Sequence, residues 1–304
     1  MTAPRVLFLG RATLDAAYWL DELPAEDTKV YARQFRAAAG GPALNAALTH
    51  AKLGGTTMLA AAVGNGPWAA QVRAELNSHN IQLLDLAHGT NYETPLTTVL
   101  IGAANASRTI VNPPFLAVEL PRLRDTWDQA VPAAWGAIPP VILTDGFHLA
   151  ETLPLLKACK GAAICLDGGS WKPGTAELAP LLTAAVCSER FTIPGEPAGA
   201  ESVFAWFAAQ GVPNIAITRG PRSILGWQQG RRFEIEIEAI EAQDTLGAGD
   251  VLHGAFCYHF AIRPDFEFAL RKAAQIATRS CLNFGIAGTE SDPGLHSPTQ
   301  PVLH

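Results

Sequence analysis

From Val141 onward the chain repeats one pattern: a short apolar run, a polar turn, then a helical stretch. Val141-Ile142-Leu143-Thr144 ends at Asp145-Gly146, and Ala163-Ile164-Cys165-Leu166 ends at Asp167-Gly168-Gly169-Ser170. Ala185-Val186-Cys187 ends at Ser188-Glu189, and Ile215-Ala216-Ile217-Thr218 ends at Arg219-Gly220. Apolar runs this short suit strands buried on both faces. Strands that alternate with helices build a parallel sheet with right-handed crossovers. Parallel strands end on one edge, so the polar residues line a single rim, where open α/β sheets bind ligands. Val6–Leu9 reads as a further strand of this kind. It delivers Asp15 to the rim, either as an acceptor for a ligand hydroxyl or as an ordinary turn residue. The 304 residues suffice for one α/β domain over 1–304 with a small appendage.

Two glycine-bearing stretches precede predicted helices. Phe233–Glu238 alternates with period two and reads as a strand; Asp244-Thr245-Leu246-Gly247-Ala248-Gly249-Asp250 follows it and opens an apolar helix. Gly247, Ala248 and Gly249 would offer the free N–H groups of a first helical turn to an anion, beside the fixed carboxylate of Asp250. Phosphoryl transfer uses both parts: donors for the phosphoryl oxygens and a base for the attacking hydroxyl. The plainer reading makes Asp250 a helix cap. The second stretch is Ala39-Gly40-Gly41-Pro42-Ala43-Leu44-Asn45, with Pro42 suited to a first turn and Asn45 able both to donate to and to accept from a hydroxyl.

Asp-Thr-x-Gly-Ala-Gly-Asp, with Leu246 where Thr is common, together with Gly-Gly-x-x-x-Asn upstream, resembles the two signatures of the PfkB, or ribokinase-like, carbohydrate kinases. The resemblance extends over roughly Val6 to Gly288. It implies a three-layer α/β sandwich around a central, mostly parallel sheet, with a small β-sheet lid built from about 16–36 and 94–112. It further implies an ATP-dependent transfer of the γ-phosphoryl group to a hydroxyl of a small carbohydrate. Asp15, Gly40, Gly41 and Asn45 would contact the sugar. Asp250 would be the base, kept deprotonated by the helix N-terminus, and Gly247–Gly249 the anion hole. Thr218, Gly220 and Asn283 would lie on the nucleotide side, with magnesium and a monovalent cation such as potassium as cofactors. One departure stands out. Where the family has Asn-x-x-Glu to organise magnesium, this chain has Ser188-Glu189-Arg190-Phe191, leaving Glu189 and Asp244 as metal candidates. That Ser-Glu pattern and Asp167–Trp171 are similar to the ketohexokinase-like and sulfofructose-kinase-like branches.

Two other functions remain open: a nucleoside kinase using Trp19, Phe115 or Phe147 as a base pocket, and a catalytically silent sugar- or nucleotide-binding regulator. Lys29, Arg33 and Arg108 in the flap are candidates for an anionic end of the substrate, although Arg108 also reads as a solvated hairpin residue. The flap's Tyr18, Trp19, Val30 and Tyr31 suggest a homodimer through the lid. A net charge of −6 with no basic block argues against nucleic acid or a membrane surface as partner. No apolar run approaches the roughly 20 residues of a membrane span. Five widely spaced cysteines without a CxxC read as reduced core thiols in a cytoplasmic protein. No Walker lysine motif and no histidine spacing suited to a metal hydrolase or a Ser-His-Asp triad appears.

Overall fold

The structure is a computed structural model of the protein and describes residues 3–102, 107–114 and 139–282. Its strands are β1 (Arg5–Gly10), β2 (Thr13–Leu20), β3 (Gln34–Gly40), β4 (Thr56–Ala61), β5 (Gln82–Asp85), β6 (Leu96–Gly102), β7 (Ser107–Val111) and β8 (Val141–Thr144). They continue with β9 (Ala163–Gly168), β10 (Ala184–Ser188), β11 (Asn214–Arg219), β12 (Arg222–Gln228) and β13 (Arg231–Ile235). The principal helices are α1 (Pro42–Lys52), α2 (Pro67–Ser78), α3 (Leu149–Ala158), α4 (Ala200–Ala209), α5 (Ala248–Ile262) and α6 (Phe266–Ser280).

A nine-stranded sheet runs β13-β12-β11-β10-β9-β8-β1-β4-β5. It is parallel from β11 to β5 and closes with the antiparallel pair β12 and β13. Consecutive residues of β1 face opposite sides. Val6 and Phe8 join a core with α1, α2, α5 and α6, whereas Leu7 and Leu9 join one with α3 and α4. These are the three layers expected from fully apolar strands.

A separate four-stranded sheet, β3-β2-β6-β7, forms the appendage. Its second strand lies later than the sequence suggests: Lys29–Phe35 is irregular up to Arg33, and β3 pairs with β2 only from Gln34 to Gly40. Residues 21–33 are almost all exposed, so no buried face fixes a register there. Trp19 is also not on the outer face. It is buried with Ala17, Val99 and Ile101 on the inner face, against which Leu246 packs. Strand β13 likewise ends at Ile235, leaving an irregular 236–247 segment before α5.

Under α1, His50 is fully buried between Phe8 and Tyr258, with Nδ1 2.7 Å from Thr57 Oγ1. Burial pushes its pKa down to about 3. The folded chain therefore holds this ring neutral while the unfolded chain protonates it near 6.5. Its stabilising contribution is complete above pH 6.5 and shrinks as pH falls toward 3, by about 1.4 kcal/mol per unit. His50→Phe should flatten the stability slope between pH 6.5 and 5 by about that amount; urea titrations at each pH measure it, and an unchanged slope refutes it.

Candidate active site

The rim is assembled from strand ends. Asp145, just past β8, is buried and accepts from three main-chain groups: Arg11 N–H (2.9 Å) and Ala43 N–H (3.2 Å) at Oδ2, and Phe147 N–H (2.9 Å) at Oδ1. One carboxylate thus ties together the turn after β1, the first turn of α1 and the turn after β8. Burial, reinforced by Asp167, pushes its pKa up to about 6 against the lowering effect of those N–H bonds. Gly10 is required here, because a Cβ would stand 2.0 Å from Asp145 Oδ1.

Asp15 lies on the inner face of β2 and accepts from Thr13 Oγ1 at 2.6 Å. Gly40 backs it so closely that a Cβ would fall 2.0 Å from Asp15 Oδ2. Gly41, at φ 99°, turns the chain into α1. Asn45, one turn into α1, is buried and donates from Nδ2 to Asp250 Oδ2 at 2.7 Å. The two signature stretches, 205 residues apart, therefore meet. They meet because α1 and α5 cross in close contact: a Cβ on Gly254 would stand 2.3 Å from Ala46 O. Asn45 Oδ1 and Asp167 Oδ2 are buried with no protein hydrogen-bond partner.

Burial raises the Asp250 pKa well above the usual carboxylate value. Repulsion from Asp167, Asp145 and Asp15 adds to this, and the Asn45 bond opposes it. This runs against the expectation of a carboxyl held low by its helix: the pKa is raised. The helix N-terminus favours the anion, but three further acids converge on it from β2, β8 and β9, and removal from water penalises the charge.

Around Asp250 the first turn of α5 is open. Gly247 is left-handed at φ 70°, no side chain caps the helix, and a Cβ on Gly249 would meet nothing within 4 Å. Ala248 begins the helix between these glycines. Asp244 is buried and accepts from Leu246 N–H at 2.8 Å, shaping the loop. The four-stranded sheet reaches this loop: Arg108 donates to Thr245 O and Oγ1, both at 3.0 Å, and Leu246 packs on its inner face. Arg108 is thus engaged with the signature loop rather than simply solvated.

Thr218, at the end of β11, donates to Cys187 O at 3.3 Å, and Gly220 (φ 62°) faces open space. Arg219 is bound to Ser223 and Glu234 within its own sheet. Asn283 and Phe115 lie outside the described residues. Glu189 pairs with Arg222. Phe191, standing where the family's Glu would be, is buried against Trp171 and Phe207. Among the described residues, no cluster of three or more His, Cys, Asp or Glu is placed to hold a metal.

Asp145, Asp167 and His253 belong to this cluster although the motifs did not select them. For the two acids the available signal was an Asp-Gly immediately after a buried strand. For His253 there was none beyond its position one turn after Asp250. Its Nδ1 is 2.7 Å from Gly249 O and 3.4 Å from Asp167 Oδ2, and its Nε2 is 3.0 Å from Val186 O.

Comparison with known proteins bears on the family and the fold. The ribokinase of Bacillus subtilis (strain 168) is 22% identical over 294 residues, covering 93% of this chain and 94% of that protein. Among solved structures, a ribokinase from Giardia lamblia superposes with a TM-score of 0.80 at 15% identity, covering 94% of this chain and 95% of the other. An Arabidopsis thaliana ribokinase, solved with ribose and ATP, gives 0.73 at 21% identity, covering 94% of each chain. The family model for pfkB family carbohydrate kinases matches residues 3–292, and the chain belongs to that family of phosphotransferases acting on hydroxyl groups.

Proposed function

We propose that the protein transfers the γ-phosphoryl group of ATP to a hydroxyl of a small carbohydrate, with Asp250 as the base. The observation that carries this reading is the Asn45–Asp250 hydrogen bond, which joins the sugar-side and phosphate-side signatures at one point. The unpartnered Asn45 Oδ1 beside it is a ready acceptor for a substrate hydroxyl. Asp15, with Gly40 and Gly41 behind it, holds further hydroxyls. The N–H groups of Gly247–Gly249 receive the transferring phosphoryl oxygens, that of Ala248 by exchanging its 3.3 Å bond to Thr245 O. Thr218, Gly220 and Asn283 flank the nucleotide.

The residues present fit a magnesium ion carried mainly by nucleotide phosphates and water. Such ions keep several waters and need few protein ligands. Glu189 and Asp244 are the candidates to support it through water, and the ion would neutralise phosphate charge. Potassium is part of the same reading; the family's cation loop includes 283–288, beyond the described residues. The lid, approached by Arg108 and Leu246, excludes water during transfer. Its outer face carries Tyr18 with the exposed Phe35, Leu96 and Val111, which supports a homodimer through the lid. We place the enzyme in the cytoplasm, where its five free, buried thiols stay reduced. Among the described residues no helix is long and apolar enough to cross a membrane.

An ADP-release assay across neutral sugars, sugar phosphates, sugar acids and nucleosides tests the proposal. A sugar turned over far above the ATPase background supports it; turnover of nucleosides alone shifts the acceptor class. ATP binding without turnover of anything favours a silent regulator. In the same assay, kcat/KM should fall on acidification with an apparent pKa well above 3.8, because the base works only when ionised and its pKa is raised. An acid limb at or below 4 contradicts the assignment.

A further inference from the structure

We infer that the acceptor carries an anionic group, held by Arg11 and Lys172 on the Asp15 side of the cleft. This rests on the sugar-kinase reading and adds to it the class of sugar. The placement follows from a continuous chain of contacts. Asp15 and Thr97 are cross-strand neighbours on the inner face of the lid sheet. Thr97 Oγ1 donates to Asn112 Oδ1 at 3.1 Å, and Arg11 Nη2 donates to the same oxygen at 3.1 Å. The Arg11 guanidinium lies 5.2 Å from the centre of the Phe147 ring, and the Lys172 ammonium lies 4.5 Å from the same ring. All three side chains belong to part-exposed residues, as a ligand site requires.

Two cations thus share one aromatic platform, and among the described residues neither forms an ion pair. Lys172 donates to Ser170, a neutral partner. The oxygens of nearby Asp145 are already taken by main-chain N–H groups. Burial lowers the Lys172 pKa, Asp145 and Asp167 raise it, and the Arg11 charge lowers it again, so the two cations repel one another. A carboxylate, phosphate or sulfonate bound by both offsets that repulsion through charge-assisted hydrogen bonds. The flap cations suggested by the sequence serve less well: Arg33 pairs with Asp21, and Lys29 rests over Tyr31.

The test uses the whole enzyme and matched sugars that differ only in one terminal group: hydroxymethyl, carboxylate, phosphate or sulfonate. Calorimetric Kd values for wild type, Arg11→Gln and Lys172→Gln address the inference, and ADP release addresses the kinase reading. At least one anionic sugar should bind tenfold or more tighter than its neutral counterpart. Each substitution should reduce that ratio tenfold or more, and the ranking among the three anions identifies the group. In wild type alone, rising ionic strength should weaken the anionic sugar and spare the neutral one. A neutral sugar bound as tightly as every anionic one, with no dependence on salt or on either substitution, overturns the inference. Turnover of that neutral sugar would leave the kinase reading standing.

Discussion

Asp250→Asn is expected to lower kcat by about 10²- to 10⁴-fold, the usual range for a positioned acid–base group, while ATP still binds. The amide keeps the shape and can still accept from Asn45 Nδ2 through its oxygen, so α1 and α5 remain joined. What disappears is the ability to take the proton of the attacking hydroxyl. A second readout separates this from a structural role. Asp250 is held against burial and the repulsion of Asp167, Asp145 and Asp15. A neutral amide is free of both, so the variant should unfold at a higher temperature than the wild type. Catalytic carboxylates kept under such strain commonly trade stability for activity. A variant that is inactive and less stable would mean that Asp250 serves the fold; one that stays active would remove it as the base. Single-turnover phosphoryl transfer and thermal unfolding at pH 8 measure both quantities.

How legible the site was depended on whether a property is local in the chain. The strand ends at Thr144, Leu166 and Thr218 were readable to within two residues, β9 and β11 running on to Gly168 and Arg219, because a strand buried on both faces must be largely apolar and its first polar residue marks the rim. The helix starts at Pro42 and Ala248 were readable from glycine and proline. The lid was less so. Whether Trp19 faces inward follows from the pairing of β2 with β3 and β6, and a half-exposed strand carries little information about its partners. The ionisation of Asp250 was legible only in part. Its own helix argues for the anion, and the opposing acids arrive from strands far apart in sequence. Arg11 passed unnoticed for the same reason, since a lone arginine in a turn acquires meaning only when Phe147 and Lys172 fold against it. Phe191 is the reverse case. Its departure from the family pattern was plain, and the structure supplies a reason: the side chain fills an aromatic cluster with Trp171 and Phe207.

The pair formed by His253 and Asp167 should carry the largest stability effect in the site. His253 Nδ1 and Nε2 each face a main-chain carbonyl, Gly249 O at 2.7 Å and Val186 O at 3.0 Å. Carbonyls only accept, so both contacts are hydrogen bonds only in the doubly protonated, charged ring. Asp167 Oδ2, at 3.4 Å and with no hydrogen-bond partner, is placed to balance it. Both side chains are buried, at 6% and 8% exposure, so His253→Leu leaves an isolated carboxylate in the interior and should cost about 3–5 kcal/mol. Replacing both, His253→Leu with Asp167→Leu, removes the stranded charge and should recover more than half of that loss, since apolar groups often substitute for a buried ion pair without penalty. Urea unfolding of the four members of the cycle measures the coupling. A coupling under about 0.5 kcal/mol would show the residues to be independent and defeat the pairing. The same cycle bears on catalysis. His253 ties the Gly249 carbonyl in the first turn of α5 to β10, and Asp250 is the next residue along. The double variant should therefore regain more than half of the lost stability yet keep a reduced kcat, because the anchor proposed to orient Asp250 has gone. Full recovery of kcat with stability would confine the pair to the fold.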